Sequence, residues 1–353
     1  MDTELLWRVE EFRRVVESVF PVSEVIYDAG LPVFAVIPTP DAKERFLTLR
    51  AKVEPLGYLP LLRRRNGREV IALVRRPPRG QWRWSINLLL FVATLATTFI
   101  AGYYMALALA AEGYLRSAVG GGLAFSLSLM LILATHEMGH KVFSIVRGVD
   151  SSLPYFIPMI PPFGTMGAVI VTRTPAPNRD ALMDVAAAGP LAGFLVSIPI
   201  LIVGVGRSFV ISPEALQGGV NFPDPLIIKW LTQLILHPPE GSIVLGHPIW
   251  FAGWIGLLVT SLNLLPAGML DGGHTVRALF GPRVHLILSW IAVAATALLG
   301  YVLMAVVILL LLRRGHPGPL DDVSPVSPVR IAIGIALLAV FVLSAVPLRI
   351  TPF

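Results

Sequence analysis

His136-Glu137-Met138-Gly139-His140 sets two imidazoles and a carboxylate within five residues. On an α-helix, positions 136 and 140 differ by about 400°, so the rings stand one turn apart and about 40° round from each other. Glu137 projects about 100° round from His136, near enough to reach a water at a metal held by both rings without being a ligand itself. H-E-x-x-H is the spacing in which two imidazoles bind zinc and the adjacent glutamate acts as base. The residues just upstream, Leu123–Leu133, are apolar apart from two serines. An ionised carboxylate in such a helix costs about 2.5–3.5 kcal/mol to insert into a bilayer. Metal-assisted hydrolysis inside a membrane gives that carboxylate a use.

Two ligands do not make a catalytic zinc site, which takes a third protein ligand and leaves one position open for water. The chain has no cysteine, which removes disulfides and thiolate ligands and leaves His, Asp or Glu. Asp271 is the candidate, in Asn263-Leu264-Leu265-Pro266-Ala267-Gly268-Met269-Leu270-Asp271-Gly272-Gly273-His274. It is the lone acidic residue between Glu240 and Asp321 and follows an apolar run. His274 competes for the same place, or else supports the site or touches substrate. His237, His247, His285 and His316 read as loop or interface residues. Gly189 and Gly193 form a G-x-x-x-G, a helix-packing pattern.

The elements that must position these groups follow from composition. Of 353 residues, 55% are hydrophobic and 14% charged, and the mean hydropathy is +0.74. Residues 1–84 nevertheless hold 15 of the 28 Lys and Arg and 11 of the 22 Asp and Glu. A small water-soluble domain followed by a polytopic membrane domain accounts for that split. The net charge of +6 and pI near 9.9 raise nucleic acid as a partner. Basic residues cluster beside the apolar runs instead, with no aromatic-interleaved basic patch, so no nucleic-acid partner is expected. The charged N-terminus does not read as a signal peptide, so the first transmembrane helix is expected to direct its own insertion.

In residues 1–84, Leu5, Val9, Phe12, Val16 and Val19 fall on one helical face, opposite Glu10, Arg13, Arg14 and Glu17. Strand-like runs at Val22–Tyr27 and Val33–Ile37 flank a turn at Gly30. A second helix is expected over Asp41–Val53, with Phe46, Leu49 and Val53 inward. Tyr58–Arg65 and Glu69–Arg75 flank Asn66-Gly67, a strong hairpin signal. The order αββαββ suits a cytoplasmic α+β domain over 1–84, with no catalytic motif and either a regulatory or a structural role. Arg75, Arg76, Arg79, Trp82, Arg83 and Trp84 then mark a cytoplasmic membrane interface.

The transmembrane domain is expected over 85–353. Spans are predicted at about 86–111, 120–146, 184–205, 249–265, 284–312 and 329–346, the third opening at Asp184. The arginines before the first span place the second running inward, with His136 and His140 near the cytoplasmic face beside Lys141 and Arg147. The fourth span ends at the same depth, by Asp271. Arg313 and Arg314 then fall outside, against the positive-inside rule, unless the fifth span only half enters. Segment 151–173 cannot be an ordinary helix, since Pro154, Pro158, Pro161 and Pro162 remove donors. With Gly164, Gly167 and the β-branched run Val169–Thr172 it is expected to form a re-entrant β-hairpin, tolerated at membrane depth where protein or water pairs its backbone. Residues 207–247 read as an outer loop with a short amphipathic helix near 226–236.

These motifs resemble the site-2 protease family of intramembrane zinc metalloproteases. The likeness lies in His136–His140 paired with Asn263-x-x-Pro266-x-x-x-Leu270-Asp271-Gly272, in Pro162–Ala168, and in Ala188–Gly193, and covers roughly residues 85–285. It implies one zinc held by His136, His140 and Asp271, a water activated by Glu137 as general base, and hydrolysis of peptide bonds in transmembrane protein substrates. It also implies a multi-pass protein of the cell membrane, with the lipid bilayer as its surroundings. Gly268 stands where many members have a second proline, which resembles the archaeal and chloroplast-type branch; no inserted PDZ domain is seen after the third span. Asn263, polar in an apolar helix, is a second catalytic candidate, as a hydrogen-bond donor to the substrate or its oxyanion, or else an interhelical bond. The competing class is an ion transporter, since intramembrane His and Asp also mark ion paths.

Overall fold

The computed structural model describes residues 3–28, 31–78, 82–213, 220–313, 315–346 and 351–352. Expectations resting on Gly30, Arg79, Arg314 and the Leu5 side chain lie outside the described residues.

The first part of the chain builds α1 (Thr3–Glu17), β1 (Val22–Asp28), β2 (Leu31–Val36), α2 (Ala42–Val53), β3 (Tyr58–Arg65) and β4 (Arg68–Arg75). The strands form one antiparallel sheet in the order β1-β2-β4-β3. Asn66 and Gly67 both take positive φ (48° and 80°), the conformation a two-residue hairpin turn requires. Alternation along β2 turns Phe34 and Val36 toward a core with Val16, Phe20, Phe46, Leu49, Val53, Leu62 and Ile71. Val33 and Ala35 pack with Val70 on the other face.

That core also contains Leu320, 257 residues downstream of Arg63. Leu320 accepts a hydrogen bond from Leu62 N (2.9 Å), and Asp322 N donates to Leu62 O (3.2 Å). The β3 edge is therefore paired by a segment from the far end of the chain. A boundary drawn at residue 84 omits this piece, because nothing in the sequence near Leu320 announces a strand.

Four helices among the described residues are long and apolar enough to cross a membrane: α3 (Trp84–Ala111), α4 (Ala118–Val146), α5 (Arg179–Gly206) and, later, α8 (Asp271–Leu298). Between and after them lie shorter helices: α6 (Leu226–Ile235), α7 (Pro248–Asn263), α9 (Val302–Arg313) and α10 (Pro328–Ser344). Large apolar side chains such as Leu89, Leu127, Leu195 and Leu338 are exposed on this bundle, a surface suited to lipid rather than water.

The expected span 284–312 is not one helix. It breaks at Gly300 (φ 91°), and α9 folds back on α8. A continuous helix would separate Ala292 and Ile308 by about 24 Å, yet both sit in one cluster with Ala267. The hairpin returns the end of α9, with Arg313, to the side of Asp271. α8 is itself interrupted at Gly281 (φ 81°), just before Pro282.

Segment 151–173 pairs β5 (Tyr155–Pro158) with β6 (Thr165–Val169). The strand thus lies mostly upstream of the expected run Val169–Thr172: Val169 closes β6 opposite Tyr155, while Val171 and Thr172 meet Ser152 and Ser151. Gly164 (φ 77°) comes so close to the backbone of Thr97 and Thr98 that any Cβ would collide, and its carbonyl accepts from Thr97 Oγ1 at 2.7 Å. Thr97 is about 20 Å along α3 from its start. The tip of the hairpin therefore reaches the middle of that helix.

Candidate metal centre

Three elements converge on one point. α4 brings His136 and His140 on one face, as their spacing dictates. α7 ends at Asn263, and the following turn aims Asp271, the first residue of α8, at the same rings. Gly268 makes the turn possible: its φ of 54° is closed to proline, whose ring fixes φ near −65°. The departure from the two-proline form of the motif is thus a different backbone path.

His140 Nε2 lies 3.3 Å from His136 Nε2, and Asp271 Oδ2 lies 3.4 and 3.3 Å from His136 Nε2 and His140 Nε2. Zinc bonds of about 2.05 Å arranged tetrahedrally give ligand–ligand edges of about 3.4 Å. The three atoms thus match one face of such a tetrahedron, and no other group of three candidate ligands among the described residues comes as close together. The donor set, two imidazoles and a carboxylate, suits zinc.

Hydrogen bonding prepares the rings. His140 Nδ1 donates to Val185 O (2.7 Å), which leaves Nε2 as a lone pair facing Asp271. Asn263 Nδ2 sits 3.4 Å from His136 Nε2, so the asparagine borders the ligand atoms. Glu137 is buried beside them, and its carboxylate makes no hydrogen bond within the described residues. No competing partner among the described residues ties the carboxylate down.

Gly189 and Gly193, a helix-packing pattern in the sequence, have a more specific part in the structure. A Cβ at Gly189 would fall 2.5 Å from Cδ2 and 2.6 Å from Cε1 of His140, and one at Gly193 would fall 3.0 Å from His136 Nδ1. α5 is thus hollowed where the two imidazoles stand. Four-residue spacing matched to His136 and His140 was the available signal. His274 does not join the three ligand atoms and instead meets His316, with its Nδ1 2.7 Å from His316 Nε2. His285 donates from Nε2 to Gly268 O (2.9 Å), supporting the turn. His237 and His247 do not join the ligand group, and His247 caps α7.

The N-terminal sheet and its helices dock at the same end of the bundle. Lys43 Nζ donates to Asp180 Oδ2 (3.0 Å), and Arg50 Nη2 donates to Gly148 O (2.7 Å), just beyond α4. Asp184 is paired by Arg147 and by Arg330 (2.8 and 3.0 Å).

The model of peptidase family M50 matches residues 124–307. The chain is 34% identical over 242 residues to the probable zinc metalloprotease EGY1, chloroplastic, of Arabidopsis thaliana, covering 65% of this chain and 43% of that protein. It is 31% identical over 229 residues to the probable zinc metalloprotease EGY2, chloroplastic, of Oryza sativa subsp. indica, covering 61% and 41%. It is also 35% identical over 125 residues to the DDT domain-containing protein PTM of Arabidopsis thaliana, covering 33% and 7%. The chain spans less than half the length of these relatives. No solved structure matches it.

Proposed function

The chain belongs to peptidase family M50, and from that premise we propose that it is a membrane-embedded zinc metalloprotease hydrolysing peptide bonds of transmembrane protein substrates. The observation that carries this reading is the triangle of His136, His140 and Asp271 atoms, 3.3–3.4 Å on each side, with the unpaired carboxylate of Glu137 beside it. Zinc held by these three residues would supply a Lewis acid that polarises the scissile carbonyl and makes water acidic enough to attack near neutral pH.

The chain's own groups do the rest. Glu137 takes the proton of the attacking water and returns it to the leaving amine; a carboxylate one residue from His136 reaches both without occupying a ligand position. Val185 O holds His140 in the tautomer whose Nε2 faces inward. Asn263 offers its amide to the substrate carbonyl. A helical substrate hides its carbonyls and must unwind, and its freed backbone groups cost several kcal/mol each in lipid unless paired. The hairpin, read as re-entrant, offers that pairing by strand addition at Ile170, whose N–H has no partner among the described residues.

Arg75, Arg76, Arg83, Arg147 and Arg313 all lie at the end of the bundle that carries the sheet. By the positive-inside rule this end faces the cytoplasm, with the protein a multi-pass component of the cell membrane.

The test is purified protein in liposomes with a labelled transmembrane peptide, wild type against Glu137→Gln. Cleavage by wild type alone, with equal zinc in both, is expected. Zinc flux without cleavage would replace the protease reading with a transporter.

A further inference from the structure

α8 carries a histidine just past the ligand cluster. His274 follows Asp271 by three residues, one turn on along the same face. Its Nδ1 meets Nε2 of His316, from the segment joining α9 to α10. His316 Nδ1 accepts the N–H of Gly318 at 2.9 Å, so that nitrogen holds no proton.

The protons can then be followed. A neutral imidazole has one N–H, and burial together with neighbouring His274 and His285 holds the pKa of His316 below its ordinary value. His316 therefore carries its proton on Nε2 and donates it to His274 Nδ1. His274 in turn must carry its proton on Nε2. That atom has no partner among the described residues, and the side chain is half-buried. The result is an uncommitted N–H donor beside Asp271.

The segment that supplies His316 is firmly held. Asp322 accepts from Arg277 Nη1 and Nη2 (2.8 and 2.5 Å) and from Arg179 Nε (3.3 Å). Leu320 N donates to Ala176 O (2.8 Å) while Leu320 itself lies in the core of the soluble sheet. The His285 ring stands edge-on to His316 at 5.2 Å. This many restraints on a connecting segment fix the orientation of one imidazole.

We propose that His274 Nε2–H donates a hydrogen bond to the scissile carbonyl oxygen as it becomes an oxyanion, and that His316 is the positioning residue that locks His274 in the donor tautomer. The proposal rests on the peptide-hydrolysis reading above. It gives the α9–α10 segment a part in the chemistry.

The test uses full-length protein and three readouts: kcat and KM on a transmembrane peptide, zinc content, and the Kd of a phosphinic peptide whose phosphinyl oxygen mimics the oxyanion. For His274→Ala, kcat is expected to fall about 10²- to 10³-fold, with KM within about twofold, bound zinc unchanged, and phosphinic-peptide binding weakened by a similar factor. His316→Leu should lower kcat less, by about tenfold, and His316→Gln, whose amide N–H can still donate to His274 Nδ1, should restore most of it. Nitrogen-15 spectra of histidine-labelled wild type should show His274 protonated at Nε2, and His316→Leu should lose that preference. A His274→Ala protein with wild-type kcat, loss of its zinc, or an Nδ1-protonated His274 in wild type each overturns the proposal. The tautomer is read without turnover, so its failure is distinct from failure of the protease reading, which would appear as wild type and Glu137→Gln behaving alike.

Discussion

Gly189→Ala adds a single methyl group, and the geometry says it should displace His140, a proposed metal ligand. The new Cβ would sit 2.5–2.6 Å from two carbons of the His140 ring and closer still to Nε2. Ordinary contact begins near 3.4–4 Å, so the ring must retreat by about 1 Å. Metal bonds tolerate deviations of about 0.2 Å, and structural zinc sites worth about 10–16 kcal/mol over four ligands set a cost of about 3 kcal/mol or more for each ligand that withdraws. That is a fall in zinc affinity of at least about 100-fold. Gly193→Ala is the internal control: its Cβ reaches 3.0 Å from His136 Nδ1, a clash relieved by a few tenths of an ångström, and should cost only a few-fold. Competition with a chelator of known affinity reads both variants, and thermal unfolding of the zinc-free proteins reports helix packing separately. Equal zinc affinities for the two variants, or wild-type affinity for Gly189→Ala, would refute the reasoning and return both glycines to a packing role.

Asp271→Ala, His136→Ala and His140→Ala should each lose zinc by elemental analysis; full zinc in Asp271→Ala would end the three-ligand assignment and bring His274 forward. Ile170→Pro should impair cleavage of a helical substrate more than of an extended peptide, because it deletes an unpaired edge N–H; equal losses would mean the hairpin only shapes the site. Val171 is the poorer choice, since its N–H already donates to Ser152 Oγ at 3.0 Å. Leu320→Ala should destabilise the docked sheet by about 2–5 kcal/mol and speed proteolysis between residues 76 and 84, and unchanged digestion would show that the sheet is held without it. Asp224 has a buried Oδ1 with no partner, and burial raises its pKa to about 6. A carboxyl with a raised folded-state pKa loses stability as pH climbs from its unfolded value through about 6. Asp224→Asn should therefore raise the melting temperature at pH 8 and leave it unchanged at pH 4, and a gain equal at both would exclude titration as the cause.

The candidate metal ligands could be picked out because the spacing that groups them is local. The i, i+4 spacing of His136 and His140 fixes their common face whatever surrounds the helix, and a lone aspartate after an apolar run has few other uses. The α1–β4 elements were legible for the same reason: their periodicities and the Asn66-Gly67 turn are properties of a few adjacent residues. What the sequence could not decide lies between residues far apart along the chain. The break at Gly300 looked like the middle of a span, because apolar residues continue on both sides and composition does not tell a helix that crosses from one that turns back. Gly189 and Gly193 read as packing because the rings they accommodate belong to another helix. His316 read as a loop residue because its partners, Gly318 N and His274 Nδ1, make it a proton-placing group through geometry alone. Spacing along a helix is set by the backbone, whereas the distance between α5 and α4, or between α8 and the segment after α9, is set by how side chains and their absence let whole elements approach.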